Sequence, residues 1–416
     1  MPRVSMLCAM ESHDGPLTRL RRGHEELVLD LLRKHGRLSR GELGKLSGLS
    51  RTTLYDIVGG LLASGAVVAS APGAGPRKRG RPVETLTLNP EAGQAIGIDF
   101  ARRAVHVAAA NVAHEIVGSA SESHAGDLSW VERTDLAQRL VRSLTGGTLE
   151  FGALSAVGVG VVGPVAEPGG ESAHARGVDG LPELLHKRFG APVLVDNNTR
   201  LAALAESVWG AAAGDEDVLY LRLSHGVGGG LVVGGSLHRG AYGLSGEFGH
   251  ITVEGAGMRC ECGGVGCLET VASVGGVLDS YRAAGGCAEN VSALVAALDS
   301  GDEAARDVLR AAGSQVGTVL AAVCNAVGPG VIVIGGELAA AGDALTEPVE
   351  EALSAHVLPL SRHRLEVRRA ALGEVGGALG GIGLVLRESS LLSRYPTGHR
   401  PDREAQGERP DAEEDR

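Results

Sequence analysis

The sequence predicts a large α/β domain preceded by a small domain of three helices and two strands. Short apolar runs typical of buried strands alternate with helix-like stretches between residues 95 and 334. Before them, three segments with helical spacing of apolar residues are followed by two strand-like segments, 66–70 and 83–88. At 416 residues, the chain has the length of more than one domain.

Charge is distributed unevenly along the chain. Residues 1–88 contain 14 Lys and Arg against 8 Asp and Glu, whereas the whole chain has a net charge of −11. A basic head on an acidic body indicates that only the head contacts a polyanion. No segment approaches the roughly 18 consecutive apolar residues of a membrane span. Residues 1–15 lack an apolar secretory core, so we expect a cytoplasmic protein that does not bind a membrane.

The head has the element order of a winged helix-turn-helix. Apolar spacing predicts a first helix over 25–34, a second over about 40–46 with Ser39 as its N-cap, and a third after Ser50. Gly48 lies in the turn between the second and third helices, as is common in this motif. The two strands then enclose a basic segment rich in Gly and Pro, which forms the wing.

Polar residues of the third helix and basic residues of the wing predict an interface for a double-stranded DNA operator. Short polar side chains and an Arg at the N-terminal end of a helix suit the major groove. Basic side chains of a wing suit backbone phosphates. An alternative is a helical dimerisation module with a solvated basic loop. The predicted DNA-binding residues are Ser50, Arg51, Thr52, Thr53, Tyr55, Arg77, Lys78, Arg79 and Arg81.

A cluster of cysteines in the body predicts a metal site. Three of the six cysteines lie within residues 260–267, and His250 precedes them by ten residues. Three thiolates and one imidazole suit tetrahedral zinc, and four protein ligands make the metal structural rather than catalytic. Unligated buried thiols are the alternative. The predicted zinc ligands are His250, Cys260, Cys262 and Cys267.

At these residues the chain resembles the ROK family, which groups bacterial repressors with sugar kinases. The resemblance rests on Gly-Glu-Phe-Gly-His at 246–250 and on Cys-Glu-Cys-Gly-Gly-Val-Gly-Cys-Leu-Glu at 260–269, and it extends over about residues 24–390. It implies a ribonuclease-H-like body of two α/β lobes, as in sugar kinases and actin-like ATPases. It also implies a sugar site in the cleft between the lobes, and a homodimer or homotetramer.

The resemblance places the sugar contacts on Asn197, Glu247, His250 and Glu269. Together with Asn198, these are the predicted ligand-binding residues. Carboxylates and amides supply the acceptors and donors that a ring of hydroxyl groups needs. His250 would offer one ring nitrogen to zinc and the other to a sugar hydroxyl. The alternative for Glu247 and Glu269 is that they are merely solvated at the surface.

Two departures from the kinase pattern predict that the cleft has no catalytic residue. In the family's kinases, an Asp that acts as general base stands at the position of Asn198, and an amide cannot take up a proton at neutral pH. Their first phosphate loop resembles Asp-Ile-Gly-Gly-Thr, whereas residues 99–103 are Asp-Phe-Ala-Arg-Arg. Glycines let backbone N–H groups approach phosphate closely. The second loop, 224–230, keeps its glycines, which we interpret as needed for chain geometry.

Together these features predict a sequence-specific DNA-binding transcription regulator, a repressor controlled by a sugar or sugar derivative. The first alternative is an active sugar kinase with an added DNA-binding domain, and the second is a regulator that responds to zinc itself. The predicted division is a flexible arm (1–23), a winged head (24–90), a body (91–392) and a disordered tail (393–416). The tail is assigned because residues 396–416 contain no large apolar residue.

Overall fold

The chain folds into two compact units that divide between Leu88 and Asn89, two residues before the predicted boundary. The predicted wing residues Arg77, Lys78, Arg79 and Arg81 lie outside the described part of the chain, as does the predicted tail. The computed structural model describes residues 16–70, 84–89, 94–111, 115–144, 156–163, 165, 178, 180–253 and 257–388.

The first unit combines three helices with a three-stranded antiparallel sheet. Its elements are helix α1 (Pro16–His35), strand β1 (Leu38–Ser39), helices α2 (Arg40–Ser47) and α3 (Arg51–Ala63), and strands β2 (Val67–Ser70) and β3 (Thr85–Leu88). Strand β3 lies between β1 and β2. All six elements contribute buried apolar residues to its core, among them Leu43, Ile57 and Leu86.

Capping residues explain where the short helices of this unit begin and end. The Ser39 hydroxyl accepts a hydrogen bond from the Glu42 N–H, and the Glu42 side chain accepts one from the Ser39 N–H, which forms a capping box. Ser50 caps α3 by accepting from the Thr53 N–H. Gly48 ends α2 with a φ of 67°, which glycine adopts without strain. Helices α2 and α3 therefore begin where the sequence predicts.

Two features of this unit differ from the prediction. Helix α1 begins at Pro16, so residues 16–23 are helical and do not belong to a flexible arm. Proline suits the first turn of a helix. The sequence did not predict this part of the helix because its apolar residues do not form a continuous buried stripe, and Leu20 is 57% exposed. Strand β1 has only two residues, too few for an alternating pattern, and it exists because Leu38 pairs with Leu86.

The second unit contains two five-stranded sheets with the same arrangement. Three consecutive antiparallel strands are extended in each sheet by two parallel ones. The first sheet comprises β4 (Gln94–Phe100), β5 (Ala104–Asn111), β6 (Ile116–Ser123), β7 (Val157–Val161) and β8 (Val193–Asn197), in the order β6-β5-β4-β7-β8. The second comprises β9 (Val218–Leu223), β10 (Val227–Val233), β11 (Ser236–His238), β12 (Val331–Gly335) and β13 (Glu366–Arg369), in the order β11-β10-β9-β12-β13.

Helices cover the sheets and join the two lobes. They are α4 (Trp130–Leu144), α5 (Leu181–Phe189), α6 (Asn198–Val208), α7 (Glu269–Ala272), α8 (Val274–Ala283), α9 (Val291–Asp299), α10 (Glu303–Val327), α11 (Asp343–His356) and α12 (Gly376–Glu388), with 3-10 turns at Phe248–His250, Glu337–Ala341, Arg362–Arg364 and Gly373–Val375. Helix α6 contacts strands of both sheets and packs along α12. The N-terminus of α6 therefore lies where the two lobes meet. The repeated sheets confirm the predicted two-lobed, ribonuclease-H-like body.

Helix α12 approaches the first sheet so closely that only glycine fits at two strand positions. A side-chain carbon on Gly97 would lie 1.8 Å from the carbonyl oxygen of Ala378, and one on Gly158 would lie 1.9 Å from that of Gly381. This backbone contact holds the start of α12 beside the Asp99 carboxylate, at the end of β4. Among the described helices, none combines the length and the apolar character needed to cross a membrane.

Candidate functional site

A cavity of about 790 Å³ opens between the lobes of the second unit. It is lined from the first sheet by the turn between β4 and β5, and from the second sheet by the segment between β9 and β10. This volume lies within the range of about 300–1,000 Å³ that is usual for small-molecule sites. All the predicted ligand-binding residues line it: Asn197, Asn198, Glu247, His250 and Glu269.

Most hydrogen-bonding groups of the Asn197 side chain already have partners within the protein. Its side-chain oxygen accepts hydrogen bonds from the N–H groups of Thr199 and Arg200, so it is the N-cap of α6. Its Nδ2 donates to the carbonyl oxygen of Gly163 at 2.8 Å. An asparagine amide has two N–H donors, so one N–H of Asn197 remains for a ligand. Sequence reasoning did not show this capping role.

Asn198 faces a buried carboxylate. Its Nδ2 donates to Asp99 Oδ1 at 3.0 Å, and both residues are buried. The other carboxylate oxygen, Asp99 Oδ2, is buried without a hydrogen-bond partner among the described residues. Burial raises the pKa of Asp99, although Arg222, His106 and the Asn198 hydrogen bond oppose the shift.

Glu247 and His250 remain partly exposed to the cavity. Their side chains are 32% and 35% exposed, and Glu247 Oε2 lies 3.9 Å from His250 Nε2. Burial raises the pKa of Glu247, while the nearby His250 and Arg200 act to lower it. Glu269 is more constrained, because its Oε2 accepts a hydrogen bond from the N–H of Val227 at 2.9 Å. The carboxylate of Glu247 and the Nε2 of His250 are therefore the groups best placed to meet hydroxyl groups.

The four predicted metal ligands form one cluster. One donor atom from each of His250, Cys260, Cys262 and Cys267 lies within 4.8 Å of all the others. Sγ of Cys262 lies 3.7 Å from Sγ of Cys267, and Sγ of Cys260 lies 3.7 Å from Nδ1 of His250. A tetrahedron with Zn–S bonds of about 2.3 Å has sulfur–sulfur edges of about 3.8 Å, so the cluster fits a zinc ion.

Two glycines allow the backbone of this loop to fold tightly around the cluster. Gly263 and Gly266 have φ angles of 92° and 77°, which other residues rarely adopt. Burial raises the pKa of the Cys260 thiol to about 12, so a bound cation must displace a tightly held proton. Since His250 directs Nδ1 toward Cys260, its Nε2 is left facing Glu247. The same side chain can therefore serve the metal and the cavity.

The glycine-rich segment 224–230 is mostly part of strand β10. A side-chain carbon on Gly229 would lie 2.3 Å from the Phe248 ring, and one on Gly230 would lie 2.7 Å from Cβ of Ala203. These glycines are therefore required by packing, as the sequence suggested. At the start of the segment, Ser224 Oγ donates to Glu337 Oε1 at 2.9 Å.

A buried ion network beside the cavity was not predicted. Asp196 accepts hydrogen bonds from Arg200 Nε at 2.8 Å and from Arg239 Nε at 2.6 Å. The fully buried Arg200 also donates to the carbonyl oxygens of Val165, in the first lobe, and Gly243, in the second. The sequence contained an indication of this pair, because Arg200 follows Asp196 by four residues at the start of an otherwise apolar helical segment. The network joins the lobes next to Asn197.

In the first unit, helix α3 presents several predicted DNA-binding residues to solvent. Arg51, Thr52 and Tyr55 are exposed, and the Arg51 guanidinium lies 5.6 Å from the centre of the Tyr55 ring. The Ser50 and Thr53 hydroxyl groups lie 2.8 Å apart, so these two residues chiefly stabilise the helix start. Their role in DNA contact stays a prediction.

Curated proteins of two kinds are similar to this chain. A glucokinase of Halalkalibacterium halodurans is 32% identical over 72% of this chain and 97% of its own length. A xylose repressor of Caldicellulosiruptor bescii is 26% identical over 92% of this chain and 100% of its own. The transcriptional repressor Mlc of Escherichia coli is 27% identical over 93% and 99%, respectively. Of these three relatives, the two repressors span nearly the whole of this chain, whereas the glucokinase spans about 72% of it.

Solved structures of both kinds of protein are also similar to this chain. A ROK family transcriptional regulator, a homologue of Escherichia coli Mlc, aligns with a TM-score of 0.75 and 25% identity over 90% of this chain and 98% of its own. A ROK family glucokinase from Streptomyces griseus, in complex with glucose and AMPPNP, aligns with a TM-score of 0.60 and 26% identity over 70% and 99%. The sequence profile of the ROK family matches residues 96–388. The resemblance inferred from the glycine and cysteine motifs is thus confirmed, and the chain belongs to the ROK family.

Proposed function

We propose that this chain is a DNA-binding transcriptional repressor whose cleft binds a sugar or sugar derivative without phosphorylating it. The xylose repressor and Mlc match the chain over both of its units, and the head has the helix and strand order of a DNA-binding motif. The E. coli relative named N-acetylglucosamine repressor is 33% identical over half of this chain. Sugar-related names therefore recur among the relatives named as repressors.

One contact carries the proposal that the cleft does not catalyse. At the position where the family's kinases place their general base, the amide of Asn198 donates to Asp99. An amide at this position can hydrogen-bond a hydroxyl group but cannot take its proton. The adjoining turn has Ala101, Arg102 and Arg103 in place of the two glycines and the threonine of a kinase phosphate loop.

The metal cluster has a structural role in this proposal. His250, Cys260, Cys262 and Cys267 would hold a zinc ion with four protein ligands, which leaves no open position for chemistry. Zinc would keep His250 and the start of α7, with Glu269, in position at the wall of the cavity. A regulator controlled by zinc itself is less favoured, because closure by four protein ligands is typical of structural zinc.

We further propose that the protein acts as a homodimer or homotetramer that binds a palindromic operator. Heads of a dimer read half-sites that are about one helical turn apart. A ligand that changes the angle between the lobes would alter the affinity of such a dimer for its operator. Fluorescence anisotropy with DNA from upstream of the gene, with and without each of a panel of sugars, tests this proposal. If no panel member binds and none alters operator affinity, the sugar-sensing proposal is wrong.

An active kinase that also binds DNA is the second candidate, and the glucokinase that is 32% identical favours it. A coupled assay with ATP and a panel of hexoses separates the two candidates. We expect no turnover above that of a protein-free control. Turnover that exceeds one equivalent of sugar phosphate per chain would establish the kinase instead.

A further inference from the structure

The turn between β4 and β5 places two arginines at the cavity without partners. Arg102 and Arg103 are exposed and line the cavity. Neither guanidinium has an ion pair or a side-chain hydrogen bond with any residue that the structure describes. A guanidinium has five N–H donors, so this turn offers ten unused donors and two positive charges to whatever enters the cleft.

The other charged groups on this side of the cavity are already paired. Glu374 lies 3.2 Å from Nη2 of Arg222. Glu337 accepts a hydrogen bond from Ser224 and lies 3.3 Å from Nδ1 of His225. Arg102 and Arg103 are therefore the groups on this side whose charge has no counterpart among the described residues, and they attract an anion.

Asn198 lines the cavity together with this turn and brings no charge to it. Asn198, which contributes an amide and no charge, donates to Asp99, and Asp99 is three residues before Arg102. Asp99 is fully buried, so its carboxylate does not face the cavity solvent. A carboxylate in place of Asn198 would repel an anion at this point, whereas an amide can donate to one.

We propose that the ligand of this cleft is a phosphorylated monosaccharide, with its ring at Glu247 and His250 and its phosphate held by Arg102 and Arg103. This inference rests on the proposed function and names the ligand class of the same site. Guanidinium groups bind phosphate through paired, charge-assisted hydrogen bonds. The cavity of about 790 Å³ extends continuously from the arginines to both ring-binding residues.

The proposal is tested by isothermal titration calorimetry on the full-length, zinc-loaded protein. The probes are glucose and glucose 6-phosphate, N-acetylglucosamine and its 6-phosphate, inorganic phosphate, and AMPPNP. We expect a phosphorylated sugar to bind at least about tenfold more tightly than the matching free sugar. The double variant R102A/R103A should remove this advantage and leave the affinity for the free sugar unchanged. Arg306→Ala changes an exposed arginine on α10, away from the cavity, and is the matched control.

Each outcome decides between the proposals. If free and phosphorylated sugars bind equally, or if R102A/R103A keeps the advantage, the phosphate site is refuted while the sugar sensor stands. If AMPPNP alone depends on the two arginines, the anion is a nucleotide and the inference is wrong. If no sugar of either kind binds, both proposals fail. Binding of inorganic phosphate that disappears in R102A/R103A, together with preference for the phosphorylated sugar, supports the inference.

Discussion

The two halves of the cleft differ in what occupies their polar side chains. In the metal half, formed by Glu247, His250 and Glu269 beside the cysteine cluster, the side chains are held by the loop yet keep atoms that face the cavity. In the turn half, formed by Asp99, Asn198 and residues 101–103, the amide of Asn198 donates a hydrogen bond to Asp99 inside the protein. The comparison indicates that the proposed sugar binding and any proton transfer would depend on different side chains, so one can change without the other.

The largest effect should come from disrupting the Cys/His cluster of the metal half. Cys260→Ser should abolish zinc binding and destabilise the loop, since structural zinc contributes about 10 kcal/mol in small zinc domains. Zinc content by mass spectrometry and thermal unfolding would show this. Cys287→Ser changes an exposed thiol outside the cluster and is the control. If Cys260→Ser retained one zinc per chain, the ligand set would be wrong.

The same site should bind zinc more tightly as pH rises. Each thiol must lose its proton to bind the ion, and burial raises the pKa of Cys260 to about 12, so protons compete strongly at low pH. Competition with a fluorescent chelator at about pH 6 and about pH 8 should show higher zinc affinity at the higher pH. Equal affinities would indicate that the thiols are not ligands.

The next effect concerns the ion network that joins the lobes. Arg200→Met removes a fully buried cation and leaves the equally buried Asp196 with one partner fewer. Breaking one side of a buried ion pair costs about 3–5 kcal/mol, and the segment from Gly243 toward Glu247 should loosen with it. Thermal unfolding would measure the loss. Arg310→Met, which affects an exposed pair with Glu351 at 4.0 Å, should leave the melting temperature unchanged.

A smaller effect is expected from restoring a carboxyl group in the turn half. Asn198→Asp would set two carboxyl groups about 3 Å apart, so one of them should keep its proton well above its ordinary pKa. Because the raised pKa belongs to the folded state, the variant loses stability as pH rises above the unfolded value of about 4. We expect a cost of about 1–3 kcal/mol at neutral pH and little cost in acid.

The control for this variant is Asn290→Asp, at the exposed N-cap of α9, where both residue types cap well. A variant Asn198→Asp that phosphorylated hexoses with ATP would show that the turn half still binds nucleotide productively. That result would contradict the proposed difference between the two halves.

The smallest effect should be that of Glu247→Gln. The amide keeps the shape but weakens hydrogen bonds to hydroxyl donors, so sugars should bind about tenfold more weakly, whether phosphorylated or not. Because burial raises the pKa of Glu247, the wild-type affinity should also fall as acid protonates this carboxylate. Calorimetry with the sugars used for the arginine variants measures both. A loss confined to phosphorylated sugars would contradict the division of the cleft.

Much of the local structure follows from short-range chemistry and was therefore predictable. Ser39 and Ser50 begin helices because their hydroxyl groups accept backbone N–H bonds a few residues away. The cysteine cluster is equally local, since three of its four ligands lie within residues 260–267. Its interpretation as a metal site needed only the residue types and their spacing, and the structure brings all four donor atoms together.

Other features depend on segments that are distant in sequence. Asn198 and Asp99 meet across 99 residues, and Arg200 reaches Gly243 across 43. Nothing in the spacing of these residues indicates that they pair, because α6 is placed by its contacts with α12 and both sheets. Asn197 is a further example. The sequence predicts that its amide binds a sugar, but in the structure most of the hydrogen-bonding groups of this amide are engaged by the backbone.

By itself, the sequence determined the fold class and the family, and it predicted which four residues form the Cys/His cluster. Residue identity and local spacing carry that information. The tertiary structure alone decided which polar groups still face the cavity. Asn198 donates to Asp99 inside the protein, whereas Arg102, Arg103 and Glu247 stay accessible, and that outcome depends on how β4, α6 and the metal loop pack together. Hydrogen-bond partners are assigned by packing, because a donor is lost to a ligand only when the fold brings an acceptor within reach.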